Sequence, residues 1–332
     1  MSESIPAHYR PRHGVWSRYW SSGALHSCAT SYAGNYEGPV ADFWHRCFDS
    51  LPSGACVLDI ATGNGPVPQL LFARLGTLGI RCEAIDLADI SPSWPAQLPA
   101  GQRDRLRFHG GVGAESLPFA ANTFDLVTSQ YGLEYSRLDL ALPELARVLR
   151  PSGALSCVLH HAQALTVRLA CEELRHIDWI LRRGGLLDLG TAMAVPLQQA
   201  STAQGRASLA QDTAMNELRE RFNACQDEAQ NRIAASACPD VIHEARAALA
   251  AALAEAARGR AATACGHIGS YCGVLGDAAL RLHELRDCAL GEDDMAALRA
   301  GLDSVGITAH AHVLGDARGI YGWALKGERK GA

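Results

Sequence analysis

The chain has 332 residues, 48% of them hydrophobic and 20% charged, with a formal net charge of −5. That is enough for one large domain or two small ones, and it excludes a disordered chain. No basic stripe stands out, so a nucleic-acid partner is not expected.

The 11 cysteines are scattered from Cys28 to Cys288 without a C-x-x-C pair. They are expected as reduced thiols in a cytoplasmic protein, not as a disulfide framework. The N-terminal stretch lacks the apolar segment of a signal peptide. No run of 18 apolar residues occurs; the Ala-rich stretch 245–257 is interrupted by charge. No membrane partner is expected.

Residues 1–37 are aromatic-rich and irregular, with Tyr9, Trp16, Tyr19, Trp20, Tyr32 and Tyr36. They would form a flap over a ligand or pack on a sheet edge. Helical spacing of Phe43, Trp44, Cys47, Phe48 and Leu51 predicts an amphipathic helix over 40–51. Short apolar runs at 56–61, 82–87, 106–111, 123–131 and 153–161 read as strands, with helices at 67–79 and 138–149. Continuously apolar strands alternating with helices predict a parallel sheet covered on both faces. The Pro151–Gly153 segment is expected as a turn.

From 162 to 290 only helical periodicity is present. A helix at 293–306 then leads to strands at 307–314 and 319–327, and the short link between them makes that pair antiparallel. The expected fold is α/β: a Rossmann-like doubly wound sheet, mostly parallel with one antiparallel strand, plus a large helical insertion. The divisions are an N-terminal lid or helix over 1–50, a core over 51–161 and 291–332, and the insertion over 162–290. That insertion is far longer than a usual α/β connection. It would cap a substrate pocket or form a dimer surface, and Leu169, Leu174, Ile177, Trp179 and Ile180 would serve either.

The stretch "VLDIATGNGPVPQ" (57–69) places a glycine turn after the first strand of the alternation. It is not a P-loop, because no Lys and Ser/Thr follow Gly65. It is a poor dinucleotide turn as well. Pro68 stands where the third glycine belongs, and Pro66 and Pro68 remove two N–H groups that a pyrophosphate would use. Asp59 would repel phosphate but could hold an ammonium group. Asp86, 21 residues after Gly65, is placed to accept from ribose hydroxyls. A nucleoside with an amino-acid tail and no phosphate fits these features, and S-adenosylmethionine is such a ligand.

Together "VLDIATGNG", "AIDL", "GAESLPFAANTFDLVTSQYGLEY" and "ELARVLRPSGALSCVLHH" resemble the successive motifs of class I S-adenosylmethionine-dependent methyltransferases. The resemblance covers roughly 40–161, and 293–327 matches the family's terminal strand pair. It implies that Asp59, Ala61, Gly63 and Gly65 line the methionine end of the donor. It further implies that Asp86 holds the ribose, that Leu87 packs on the adenine, that Ala114 and Glu115 lie at the adenine edge, and that Ser129 and Gln130 flank the sulfonium. The sequence departs from the family at Gly113, where many members have Asp.

His160 and His161 end the fifth strand on the side where open α/β sheets bind ligands. One of them would face substrate as a general base, or each would be a hydrogen-bonded structural histidine. Glu134, with Tyr135 after the fourth strand, is a further candidate base or anchor. His310 and His312 share a strand face, but no further ligands suit a metal, so no metal site is expected.

The expected activity is methylation of a small organic acceptor, with S-adenosylhomocysteine as product and O-, N- or C-methylation unresolved. A homodimer through the insertion is the competing expectation for partners. The alternatives are an oxidoreductase on a nucleotide fold and a non-catalytic protein that keeps the methyltransferase fold.

Overall fold

The computed structural model describes residues 10–27 and 34–331; Tyr9, Cys28 and Tyr32 lie outside them. The elements in order are α1 (Arg10–Ser21), α2 (Gly38–Phe48), β1 (Cys56–Ile60), α3 (Pro66–Leu75), β2 (Arg81–Asp86), α4 (Ala100–Arg103), β3 (Leu106–Gly110), β4 (Phe124–Gln130), α5 (Leu138–Val148) and β5 (Leu149–Leu159). The chain continues through α6 (Leu165–Leu181), α7 (Leu186–Gln199), α8 (Ala203–Gln211), α9 (Thr213–Ala235), α10 (Asp240–Ala257) and α11 (Ala261–Cys288). It closes with α12 (Glu292–Ser304), β6 (Ile307–Asp316) and β7 (Gly319–Arg329). Two compact units result: Met1–Val167 with Glu284–Ala332, and Arg168–His283.

The first unit is built on a seven-stranded sheet of order β3-β2-β1-β4-β5-β7-β6. All neighbours are parallel except β7, which runs against both β5 and β6. This is the mostly parallel sheet with one antiparallel strand that the pattern predicts. Adjacent strand residues point to opposite faces. Leu58, Val127 and Leu325 enter one core beneath α5 and α12, with Leu145 and Leu302. Val57, Leu126 and Ala324 enter the other, with Phe43, Trp44 and Leu71 of α2 and α3. Burial on both faces is why β1, β4 and the end of β5 read as continuous apolar runs.

β1 pairs with β2 on one side and β4 on the other, with Ile60 level with Ile85 and Ser129. The carboxyl ends of these three strands therefore meet where the chain reverses its direction of progress across the sheet. Open α/β sheets bind ligands at such a point.

Two segments differ from expectation. Residues 10–21 are helical rather than irregular. The Pro151–Gly153 segment lies within β5, which starts directly after α5, with Ser152 at a φ of 61° and a register shift between Phe124 and Leu126. Helix α7 falls within the stretch read as helical, although Gly190 and Pro196 lie inside it. Gly190 is required by packing, since a Cβ there would overlap Leu249, and tertiary contact overrides propensity.

The second unit has its own core, in which Ile177, Trp179 and Ile180 join Leu187, Ile242 and Leu249. These three residues are therefore occupied within the unit and do not form an open surface. Leu174 is also buried, and Leu169 is half-buried. No described helix is long and apolar enough to cross a membrane.

Candidate active site

The turn after β1 is shaped by left-handed backbone. Ala61, Gly63 and Gly65 have φ values of 52°, 53° and 78°. Gly65 caps α3, and Pro66 takes the first helical position, where no N–H is needed. Glycine is required twice here. A Cβ on Gly63 would lie 2.6 Å from the Trp20 ring, and one on Gly65 would lie 2.7 Å from Phe108. The Gly63 N–H donates to Asp86 Oδ2 at 2.8 Å, which ties the turn to the end of β2.

The other Asp86 oxygen, Oδ1, accepts from the Ala88 N–H at 2.8 Å. Asp86 is buried, and that burial pushes its carboxyl up to about 6 against the opposing pull of the two N–H groups. It lines a cavity at the ends of β1, β2 and β4, together with Ala61, Leu87, Ala114, Glu115 and Gln130. Glu115 Oε1 accepts from the Arg137 N–H at 2.8 Å. Its other oxygen lies 2.6 Å from where a Cβ on Gly113 would stand. The Glu115 carboxylate thus fills the space of the side chain that Gly113 lacks.

Asp59 and Ser129 do not line this cavity. Asp59 lies beneath the turn, where it accepts from Thr128 Oγ1 at 2.6 Å. Burial, and then the nearby Asp86, push its carboxyl up to about 7. Ser129 Oγ donates to the Ile60 carbonyl and accepts from the Leu133 N–H, so it braces β4 to β1. Gln130 Oε1 accepts from Trp44 Nε1 at 2.6 Å, and its buried Nε2 has no partner among the described residues.

Helix α1 supplies four cavity-lining residues: Trp16 and Trp20, from the aromatic segment expected as a flap or as sheet-edge packing, and Arg12 and His13, which the sequence reading did not single out. Their placement rests on contacts distant in sequence. Glu284 accepts from Trp16 Nε1 at 2.7 Å and pairs with Arg12 at 2.8 Å. Arg12 also donates to the Tyr135 carbonyl. Asn64, in the glycine turn, donates to the carbonyls of Trp20 and Ala24. The Trp16 and Trp20 rings stack at 5.7 Å. The only sequence signal for this helix's role was its aromatic content.

Glu134 and His160 are brought together. Glu134 Oε1 accepts from the His160 backbone N–H at 2.8 Å and lies 2.9 Å from its Nδ1. Both residues are buried, and Glu134 Oε2 and His160 Nε2 have no partner among the described residues. The imidazole does not itself line the cavity. It stacks at 4.3 Å on Tyr131 and meets Tyr135 edge-on, and both of those rings do line it. Tyr131 has a φ of 53°, uncommon for a bulky residue. His161 points the other way, stacked at 4.6 Å on Trp323, with its Nδ1 accepting from the Gln163 N–H. Burial holds its imidazole below the ordinary range. His310 and His312 are exposed on β6.

Residues 58–157 match the family model described as "Methyltransferase domain". Among curated proteins, the chain is 37% identical over 144 residues to the ubiquinone/menaquinone biosynthesis C-methyltransferase UbiE of Hydrogenovibrio crunogenus, covering 38% of this chain and 54% of that one. It is 40% identical over 122 residues to the UbiE of Xylella fastidiosa strain M12, covering 33% and 45%. The chain thus spans about half the length of the curated relatives it matches. The solved structure of the YcgJ protein of Bacillus subtilis aligns with a TM-score of 0.33 at 23% identity, covering 41% of this chain and 58% of that one. Residues 58–157 belong to the class I S-adenosylmethionine-dependent methyltransferase domains.

Proposed function

We propose that the chain transfers the methyl group of S-adenosylmethionine to a small organic acceptor and releases S-adenosylhomocysteine. The observation that carries this reading is Asp86. Its two oxygens are fixed by backbone N–H groups at the switch point of the sheet, and lone pairs remain toward the cavity for hydroxyl donors. The residues present fit the donor. Asp86 suits a ribose, the unpartnered Gln130 Nε2 awaits an acceptor atom, and Pro66 and Pro68 withhold N–H groups that a pyrophosphate would demand. When bound, the donor supplies an activated methyl group on a sulfonium.

The protein's remaining task is to hold the acceptor in line and to take its proton where it carries one. In this reading Glu134 holds the His160 Nδ1–H, which leaves Nε2 as the basic atom. The tautomer follows from the carboxylate partner. Tyr131, Tyr135 and Gln130 form the wall against which the acceptor packs. His161, turned onto Trp323, is the weaker base candidate.

The relatives' names support an acceptor methylated on carbon, such as a phenol or quinol ring. The net charge of −5 argues against a nucleic acid. Ten free cysteines among the described residues suit a reducing compartment such as the cytoplasm. A homodimer is tested by light scattering. The reading as a whole is tested by incubating the full chain with methyl-labelled donor and a panel of phenols, quinols and amines. Label in an extracted small molecule, lost in D86A, supports it. Donor binding without transfer to any acceptor would favour a non-catalytic protein that keeps the fold.

A further inference from the structure

The helical unit holds a convergence of metal-binding side chains. Glu172 and His176 lie one turn apart on α6, and so share a face. The link between α9 and α10 brings Ser236 and Cys238 to that face, with Cys238 Sγ 3.7 Å from the Leu169 carbonyl. A carboxylate oxygen of Glu172, a ring nitrogen of His176 and the Cys238 sulfur all lie within 4.8 Å of one another. His176 Nε2 is 3.8 Å from Glu172 Oε1.

We propose that Glu172, His176 and Cys238 bind a zinc-type divalent cation. Metal–ligand bonds of about 2.0–2.3 Å in a tetrahedron set ligand atoms roughly 3.3–3.8 Å apart. The cluster therefore needs to contract by up to about 1.5 Å, and Cys238 sits in the link between α9 and α10, outside either helix. The Glu172 carboxylate and the His176 imidazole already meet on one hydroxyl, which also holds the Cys238 backbone beside them. Ser236 Oγ donates to Glu172 Oε1, lies 2.9 Å from His176 Nε2 and accepts from the Cys238 N–H at 3.0 Å. A bound cation takes over that role, and the hydroxyl or a water completes the fourth position.

One thiolate, one imidazole and one carboxylate suit a borderline-soft ion. Magnesium and calcium prefer oxygen donors throughout. His176 is buried, whereas Glu172 and Cys238 are half-buried, so the cluster opens to solvent on the side of the latter two. Binding converts the Cys238 thiol to a thiolate and releases its proton to water. The cation would tie α6 to the link before α10, inside a region that the methyltransferase family model does not reach. The ligands come from segments more than 60 residues apart, so motif spacing could not have revealed them.

The test is a cobalt(II) titration of the chelator-treated full chain, followed by absorption. One equivalent should produce a thiolate-to-cobalt charge-transfer band with tetrahedral d–d bands, and zinc should displace it. C238S should abolish the charge-transfer band, and H176A should weaken binding at least tenfold, roughly 1.4 kcal/mol. S236A should keep the band, because the hydroxyl is a hub and not an obligatory ligand. Circular dichroism establishes that each variant is folded. Should a variant unfold, zinc-dependent protection of Cys238 from alkylation in the unmodified chain gives the same answer by mass spectrometry. A wild-type chain with no charge-transfer band, or a band that survives in C238S, would overturn the proposal.

Discussion

Replacing Asp86 with Asn separates donor recognition from stability. In the folded protein each Asp86 oxygen accepts one backbone N–H at 2.8 Å. Asn keeps one acceptor and turns an amide N–H₂ toward the other N–H, which leaves a buried donor unpaired at about 1–3 kcal/mol. A second effect opposes this. Burial raises the carboxyl from 3.8 to about 6, so the ionised form is disfavoured in the fold. At pH 7 that disfavour is worth about 3 kcal/mol, and Asn relieves it. The two effects nearly cancel, so the melting temperature at pH 7 should stay within a few degrees of wild type.

Donor binding has no such compensation. Loss of a charge-assisted acceptor for the ribose is worth about 1.5–3 kcal/mol, or roughly 10–150-fold in Kd by titration calorimetry. The pH dependence supplies a second readout. Bound donor favours the Asp86 carboxylate, so wild-type affinity should be full above pH 7 and fall as pH drops through about 6, approaching tenfold per unit below it. D86N should lose that slope. A D86N chain that binds donor within about threefold of wild type, with an unchanged pH profile, would refute the reasoning.

Once an acceptor is in hand, H160A should lower kcat by about 10²–10⁴ with donor Kd nearly unchanged, and E134Q should shift the pH–rate profile; unchanged turnover in both rejects the base assignment. Donor binding should quench tryptophan fluorescence through Trp16 and Trp20, which line the cavity, and W16F/W20F should lose most of that quench. In the helical unit, Leu249 is buried against Gly190. L249A should cost about 2–5 kcal/mol by denaturant unfolding.

The central strands β1 and β4 were legible because each is a short apolar run closed by a polar residue or a turn, and burial on both faces leaves that mark. The glycine turn was legible because left-handed backbone and a proline-started helix demand particular residues. Helix α1 left no such mark: its position depends on Glu284, far along the chain.

Within the site, motif position put Asp59 and Asp86 together, but only the fold separates them. One is sealed under Thr128 and the other faces the cavity. Strand alternation foretold that His160 and His161 diverge. It could not foretell that the inward one would bond Glu134 behind two tyrosine rings, because that pairing is set by the turn after β4.

The most direct measurement is calorimetric titration of the folded full chain with S-adenosylmethionine, with NAD as the control. The account predicts saturable binding of one donor per chain, competed by S-adenosylhomocysteine, and no heat with NAD. Absence of heat at millimolar S-adenosylmethionine, in protein shown to be folded, would contradict it.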